Sequence, residues 1–195
     1  MSTHKFTVPI TNEDVKSLAI GDIVYLNGII YTARDMAHLK IKELLSQHAS
    51  LPVDLSGQVI FHAGPVARKE NNKWQISVVG PTTSIRMEPY AEMVGKLGVK
   101  LIIGKGGMEK DSSEKFQQHG QAYLQAPPGC AVQIANGVKA VCDVFWLENG
   151  MPEAMWKLRV ENFGPFIVTM DSNGNSRYVD VKKHAYQQLE ELYGK

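Results

Sequence analysis

The sequence predicts an α/β domain built on a mixed sheet, and three observations carry that expectation. Short runs rich in β-branched residues, at 23–26, 59–61, 74–79 and 99–103, are bounded by turn residues and read as strands. Between them lie stretches with apolar residues at helical spacing, such as Ala37, Ile41, Leu44 and Leu45, or Met87, Tyr90, Val94 and Leu97. Two of the turns, Asn27-Gly28 and Asn71-Asn72, are hairpin signals, so antiparallel pairing is expected beside the strand–helix alternation.

Residues 1–20 read as an extended arm, with Val15, Leu18 and Ile20 leading into a Gly21-Asp22 turn. The strand at 23–26 then meets Asn27-Gly28, which predicts that 29–31 returns antiparallel to it. Thr32-Ala33-Arg34-Asp35 opens a helix. Pro52 and Gly57 break the chain before 59–61, which runs into His62-Ala63-Gly64-Pro65, and Asn71-Asn72 turns the chain into 74–79. After Gly80-Pro81 a helix restarts on three hydroxyls and ends at Gly98. Residues 99–103 lack alternation and read as a fully buried strand ending in Gly104-Lys105-Gly106-Gly107. A polar helix at 109–119, a strand at 122–124, a short helix at 130–136 and strands at 140–146 and 166–170 follow, the last closing at an Asp171-Ser172-Asn173-Gly174-Asn175 turn. From Lys182 a polar helix carries Tyr186, Leu189 and Tyr193. With no internal repeat and no linker, one domain over residues 1–195 is expected.

At 44% hydrophobic and 21% charged, the chain has the composition of an ordinary globular protein. Its 21 basic and 20 acidic residues give a net charge of +1. That balance excludes a broad basic field for nucleic acid and a polybasic helix for a membrane surface, so an acidic ligand has to be caught locally. The start Met-Ser-Thr-His-Lys-Phe lacks the apolar stretch of a signal peptide, no apolar run approaches the roughly 20 residues of a membrane span, and a cytoplasmic location is expected. Cys130 and Cys142 lack the spacing of a zinc or redox motif and read as small packing residues.

The chemistry concentrates in Val78-Val79-Gly80-Pro81-Thr82-Thr83-Ser84-Ile85-Arg86-Met87. Hydroxyls at a helix start accept free backbone N–H groups, and the N–H groups left over favour an anion. Arg86 adds a planar fork matched to a carboxylate or phosphate. Arg34 and Lys105 stand at two further strand ends, and ligand loops in such sheets gather at the carboxyl ends of strands. If the strand order brings them together, these three cations suit a small diacid. Gly104-Lys105-Gly106-Gly107 does not match a phosphate-binding P-loop, which needs a Ser or Thr after the Lys. The histidines show no metal spacing and no metal site is expected; His38, four residues after Arg34, and His62, beside Gly64-Pro65, are the two placed near the junctions. Thr82 moves a proton only beside a group that activates it, so the missing electrophile has to come from elsewhere. Two other readings stand beside an enzyme half: a dicarboxylate-binding module without chemistry, and a scaffold for another subunit.

Six motifs occur in order along the chain: Tyr31-Thr-Ala-Arg34-Asp35-Met-Ala-His38, Phe61-His-Ala-Gly-Pro65, Gly80-Pro-Thr-Thr-Ser-Ile-Arg-Met87, Gly104-Lys-Gly-Gly-Met108, Gly150-Met-Pro-Glu-Ala-Met-Trp156 and Asp171-Ser-Asn-Gly-Asn175. Together they closely resemble the β subunit, or C-terminal domain, of the iron–sulfur class I fumarases and L(+)-tartrate dehydratases. The resemblance implies a swivelling β/β/α domain that works with a separate α subunit, as an α2β2 hetero-oligomer, on a small dicarboxylate. It also implies a [4Fe–4S] cluster held by cysteines of that α subunit and not by this chain. By the same resemblance, Arg34 and Arg86 are substrate-carboxylate clamps, Thr83 and Gly106 further substrate-binding positions, and Lys105 and Thr82 catalytic, with Thr82 placed for proton abstraction. Fumarate and malate are the expected substrates, with L(+)-tartrate and oxaloacetate as the alternative pair.

Overall fold

The computed structural model describes residues 1–193. In chain order it contains β1 (Thr3–Thr7), α1 (Asn12–Lys16), β2 (Ile23–Thr32), α2 (Asp35–Ser46), β3 (Val59–Phe61), β4 (Ala63–Glu70) and β5 (Lys73–Pro81). A 3₁₀ turn at Ser84–Tyr90 then runs into α3 (Ala91–Lys96), followed by β6 (Leu101–Gly104), α4 (Lys110–His119), β7 (Ala122–Gln125), α5 (Ala131–Ala135), β8 (Val138–Phe145), β9 (Met155–Met170) and α6 (Arg177–Tyr193). The main sheet has the order β1-β2-β3-β6-β7-β9-β8, and β4 and β5 form a separate hairpin. Neighbours from β1 to β7 are parallel, and β9 is antiparallel to both β7 and β8, so the fold is α/β with a mixed sheet as expected.

At 16 residues β9 is long enough to pair with β2 as well as with β7, which closes the circuit β2-β3-β6-β7-β9 on itself. Successive strand residues face opposite sides, so each strand feeds two cores. Val59, Phe61, Leu101, Ile103 and Leu124 enter one core, where the Phe61, Phe163 and Phe166 rings meet edge to face or tilted. Ile60, Ile102 and Tyr123 enter the other, against Ala37 and Ile41 of α2, Val94 of α3 and Phe116 of α4. Burial on both faces is why β3, β6 and β7 read as unbroken apolar runs.

Several expectations are corrected here. Asn27-Gly28 is not a hairpin turn: β2 runs straight through it, with Gly28 at φ +104° and a register shift against β9. The pair makes a bulge because both edges of β2 are occupied at that point, Asn27 accepting from the Val8 amide and Gly28 lying against Val8. Residues 1–20 are an extended arm only in part: β1 is extended and pairs parallel to β2, but a Thr11 capping box then opens α1. The hairpin at Asn71-Asn72 is present, both residues having positive φ. Cys130 is half-buried, but Cys142 is exposed on β8 and packs into neither core.

Asp22 ties β1 to the start of β2. Its carboxylate accepts from the Ser2 amide at 2.6 Å and the Ala19 amide at 3.1 Å, and meets His4 Nε2 at 3.0 Å. The Ser2 bond, opposed by burial and helped by Ala19 and His4, holds the carboxyl below its ordinary 3.8. A group depressed on folding stabilises the protein above its unfolded pKa, and that contribution is lost as pH falls through the folded value. Asp22→Asn is therefore expected to lower the urea midpoint at pH 7, and the gap to the parent protein to close as pH falls below 3.8. Phe61→Ala, at a fully buried ring that meets the Phe163 and Phe166 rings, is expected to cost about 3–5 kcal/mol in the same measurement.

Candidate active site

Strands β2, β3, β6 and β7 end together because they are parallel and in register, with Thr32 opposite Phe61, Phe61 opposite Ile103, and Gly104 opposite Gln125. The segments that leave this rim are stitched to one another through the backbone. Ala33 donates to the Phe61 carbonyl at 3.0 Å, His62 to Ile103 at 2.8 Å, Thr82 to His62 at 2.7 Å, and Ser84 to Lys105 at 3.1 Å. Thr83 and Lys105 form a parallel bridge. Arg34, Thr82, Thr83, Arg86, Lys105 and Gly106, drawn from three separate segments, thus share the carboxyl ends of the parallel strands, the place where such sheets bind ligands.

Arg86 grips Asp35 with two bonds, Nε to Oδ1 at 3.1 Å and Nη2 to Oδ2 at 2.8 Å, and its Nη2 also donates to Thr82 Oγ1 at 3.0 Å. Burial raises the Asp35 carboxyl, but the Arg86 bonds and charge outweigh it and hold the group below 3.8, so it is anionic at neutral pH. Arg34 Nη2 pairs with Glu153 Oε1 at 2.9 Å, and the other oxygen of Glu153 accepts from the Met36 amide in the first turn of α2. Arg34 Nε is buried without a partner. Gly64 makes room for this side chain: a Cβ there would lie 2.8 Å from Arg34 Nη1 and 2.7 Å from the Pro152 carbonyl.

Lys105 pairs with no carboxylate among the described residues. Three cations against Asp35 and Glu153 leave the rim one positive charge in excess. Gly106 is exposed at φ +79°, and its N–H donates to Gln125 Oε1, which also takes a bond from Tyr178 Oη.

Behind the rim lies a buried polar layer. His38 Nδ1 donates to the Arg34 carbonyl at 2.8 Å, which fixes its tautomer and leaves Nε2 buried without a partner. Its ring stacks on Tyr90 and meets His62 edge-on. Tyr123 Oη donates to Ser84 Oγ at 2.9 Å, which leaves the Ser84 proton for His62 Nδ1 at 2.9 Å. Burial pushes His38 down to about 4 and His62 well below 6.5, so both imidazoles are neutral at physiological pH. These histidines brace the rim from beneath.

One expectation fails in its mechanism. The segment after Thr83 is a seven-residue 3₁₀ turn with no side-chain cap, and the Ser84 amide is already used by the Lys105 carbonyl. The hydroxyls act differently: Thr82 accepts from Arg86, and Ser84 turns inward to His62 and Tyr123. Asp35 and Glu153 were not singled out from the sequence, although both lie inside the quoted motifs, because nothing in a linear pattern shows which arginine a carboxylate will meet. Among the described residues no group of three or more His, Cys, Asp or Glu is placed to hold a metal. Cys130 precedes α5 and Cys142 lies on β8, and two cysteines on separate elements are fewer than the three or four thiolates an iron–sulfur cluster takes, so this chain's cysteines do not fit a cluster.

Residues 3–181 match the family model described as Fumarase C-terminus. A putative L(+)-tartrate dehydratase subunit beta of Methanocaldococcus jannaschii is 53% identical over 187 residues, 95% of this chain and 96% of that protein. The L(+)-tartrate dehydratase subunit beta of Escherichia coli K12 is 44% identical over 178 residues, 91% of this chain and 87% of that one. A putative fumarate hydratase class I of Geobacillus stearothermophilus is 46% identical over 186 residues, which are 94% of this chain and 35% of that longer protein. With most of its length matched and relatives of similar size at these identities, the chain belongs to the Fumarase C-terminus family, as a β subunit of the tartrate dehydratase and class I fumarate hydratase group.

Proposed function

We propose that this chain is the β subunit of a hydro-lyase that interconverts fumarate and malate, acting in the cytoplasm within an α2β2 assembly whose α subunit holds the [4Fe–4S] cluster. The observation that carries the reading is the Thr82–Arg86–Asp35 unit, which sets a hydroxyl and a guanidinium fork side by side on the rim that also bears Arg34 and Lys105. On this reading Arg34 and Arg86 bind the two carboxylates of the substrate, each charge-assisted bond contributing on the order of 1.5–3 kcal/mol. Thr83, the exposed Gly106 and Lys105 supply further contacts, with Lys105 meeting the substrate as a cation not already committed to a carboxylate.

Thr82 Oγ1 exchanges the proton at the carbon next to a carboxylate. The bond it accepts from Arg86 stabilises negative charge on that oxygen and so eases loss of its own proton. A hydroxyl with this single aid is still a weak base, so the activating carboxylate and the electrophile for the departing hydroxyl are assigned to the partner subunit. Asp35 and Glu153 keep the two guanidinium groups oriented before substrate arrives, and a dianion entering the rim takes over part of their bonding. Tartrate is the second reading, favoured by the names of the M. jannaschii and E. coli relatives. It differs from malate by one hydroxyl, a distinction that one hydrogen bond from either subunit can make.

The chain mixed anaerobically with its α subunit is expected to turn over fumarate, and the ratio of kcat/KM for malate and L(+)-tartrate then separates the two substrate readings. No turnover of fumarate, malate or tartrate, together with tight diacid binding by this chain alone, would replace the enzyme reading with a binding module. Thr82→Ala is expected to lower kcat about 10²–10⁴-fold with a small change in KM. Arg86→Ala is expected mainly to raise KM, with poor rescue by Arg86→Lys because an ammonium lacks the fork. A Thr82→Ala enzyme at full rate would remove that residue from the chemistry.

A further inference from the structure

α6 is a 17-residue helix without a buried residue. A helix of this length is marginal in water unless an apolar face is covered. At about 100° per residue, Val179, Val181, Tyr186, Leu189, Leu192 and Tyr193 fall within roughly 160° of the circumference, a stripe as wide as those that normally face a core. Each of the six is more than half exposed. Among the described residues the helix is tied down in its first turn, through Tyr178, whose hydroxyl bonds Gln125 and Thr169. Lys182 interrupts the stripe, at a position where its aliphatic stem can lie along the apolar surface with the charge outside.

The charges beside the stripe say what covers it. Lys183 and Glu190 are two turns apart and lie on the same flank. Two copies of α6 laid antiparallel about a twofold axis bring the same flank of each together and set Lys183 of one beside Glu190 of the other, whereas a parallel pair turns that flank toward the opposite one, bordered by the uncharged Gln188. Glu190 also lies in the last turn, where the helix dipole disfavours an acidic residue and no basic side chain compensates among the described residues. A lysine and the opposed dipole of an antiparallel partner remove that disadvantage. We infer that the exposed face of α6 is the contact between two copies of this chain, packed antiparallel with Lys183 against Glu190 across the axis. Such a contact is self-complementary, as a twofold interface requires.

Sedimentation equilibrium and light scattering on the full chain test this. The parent chain is expected to run at twice its 21.6 kDa mass at micromolar concentration. Leu189→Asp is expected to give a monomer, and Lys183→Glu to raise the dissociation constant about tenfold, because two ion pairs become two acid–acid contacts. The swap Lys183→Glu with Glu190→Lys rebuilds the pairs with reversed sign and is expected to restore the dimer. A monomeric parent chain, a dimer that survives Leu189→Asp, or a swap that leaves the dissociation constant as weak as Lys183→Glu alone would each overturn the inference. A parent chain that is monomeric but loses its α subunit on Leu189→Asp would overturn it in favour of that partner as the occupant.

Discussion

The common ending of four parallel strands is the constraint on which the candidate site depends. In-register pairing of β2 with β3, β3 with β6 and β6 with β7 fixes where each strand stops, and β9 locks the arrangement by closing back onto β2. Arg34, Lys105 and the Thr82–Arg86 segment are brought together by this register, with few side-chain contacts needed to place their backbones. Because the strands are held by apolar cores on both faces, the rim is rigid where the ligand groups start.

The electrostatics of the rim follow from that placement. Each arginine is oriented by a carboxylate, Arg86 by Asp35 and Arg34 by Glu153, and Lys105 supplies the excess positive charge. A bidentate pair holds the guanidinium plane while leaving other N–H groups for a second anion, which suits a site that must be ordered before its diacid arrives. Beneath it, the His38, His62, Ser84 and Tyr123 layer is neutral and nearly fully bonded, so it supports the rim without adding charge that would compete for the substrate. The glycines serve the same end: a Cβ at Gly64 would collide with Arg34, and one at Gly104 would overlap the Ser84 hydroxyl.

Much of this was legible in the sequence where the signal is local. Helical spacing located α2 and α3, Asn71-Asn72 located the hairpin, and the junction positions of Arg34, Thr82, Arg86 and Lys105 singled them out before any geometry was known. What was not legible depends on partners distant in the chain. Asn27-Gly28 has the form of a hairpin turn, but with β1 and β9 on its two sides the same dipeptide becomes a bulge. Only the last part of β9 was expected, because Asn162, Gly164 and Pro165 look like breakers when their pairing to β2 is unknown. The ion pairs of Arg34 and Arg86 bridge segments far apart in sequence. The three hydroxyls after Pro81 suggested caps, whereas Thr82 accepts from Arg86 one turn on and Ser84 is drawn inward by the distant His62 and Tyr123.

The most direct measurement is an anaerobic crystal structure of this chain assembled with its α subunit and a four-carbon dicarboxylate. The expected result places one substrate carboxylate on Arg86 and the other on Arg34, with Thr82 Oγ1 facing a carbon between them. A diacid bound away from the ends of β2, β3 and β6, with both arginines still engaged only by Asp35 and Glu153, would contradict the account.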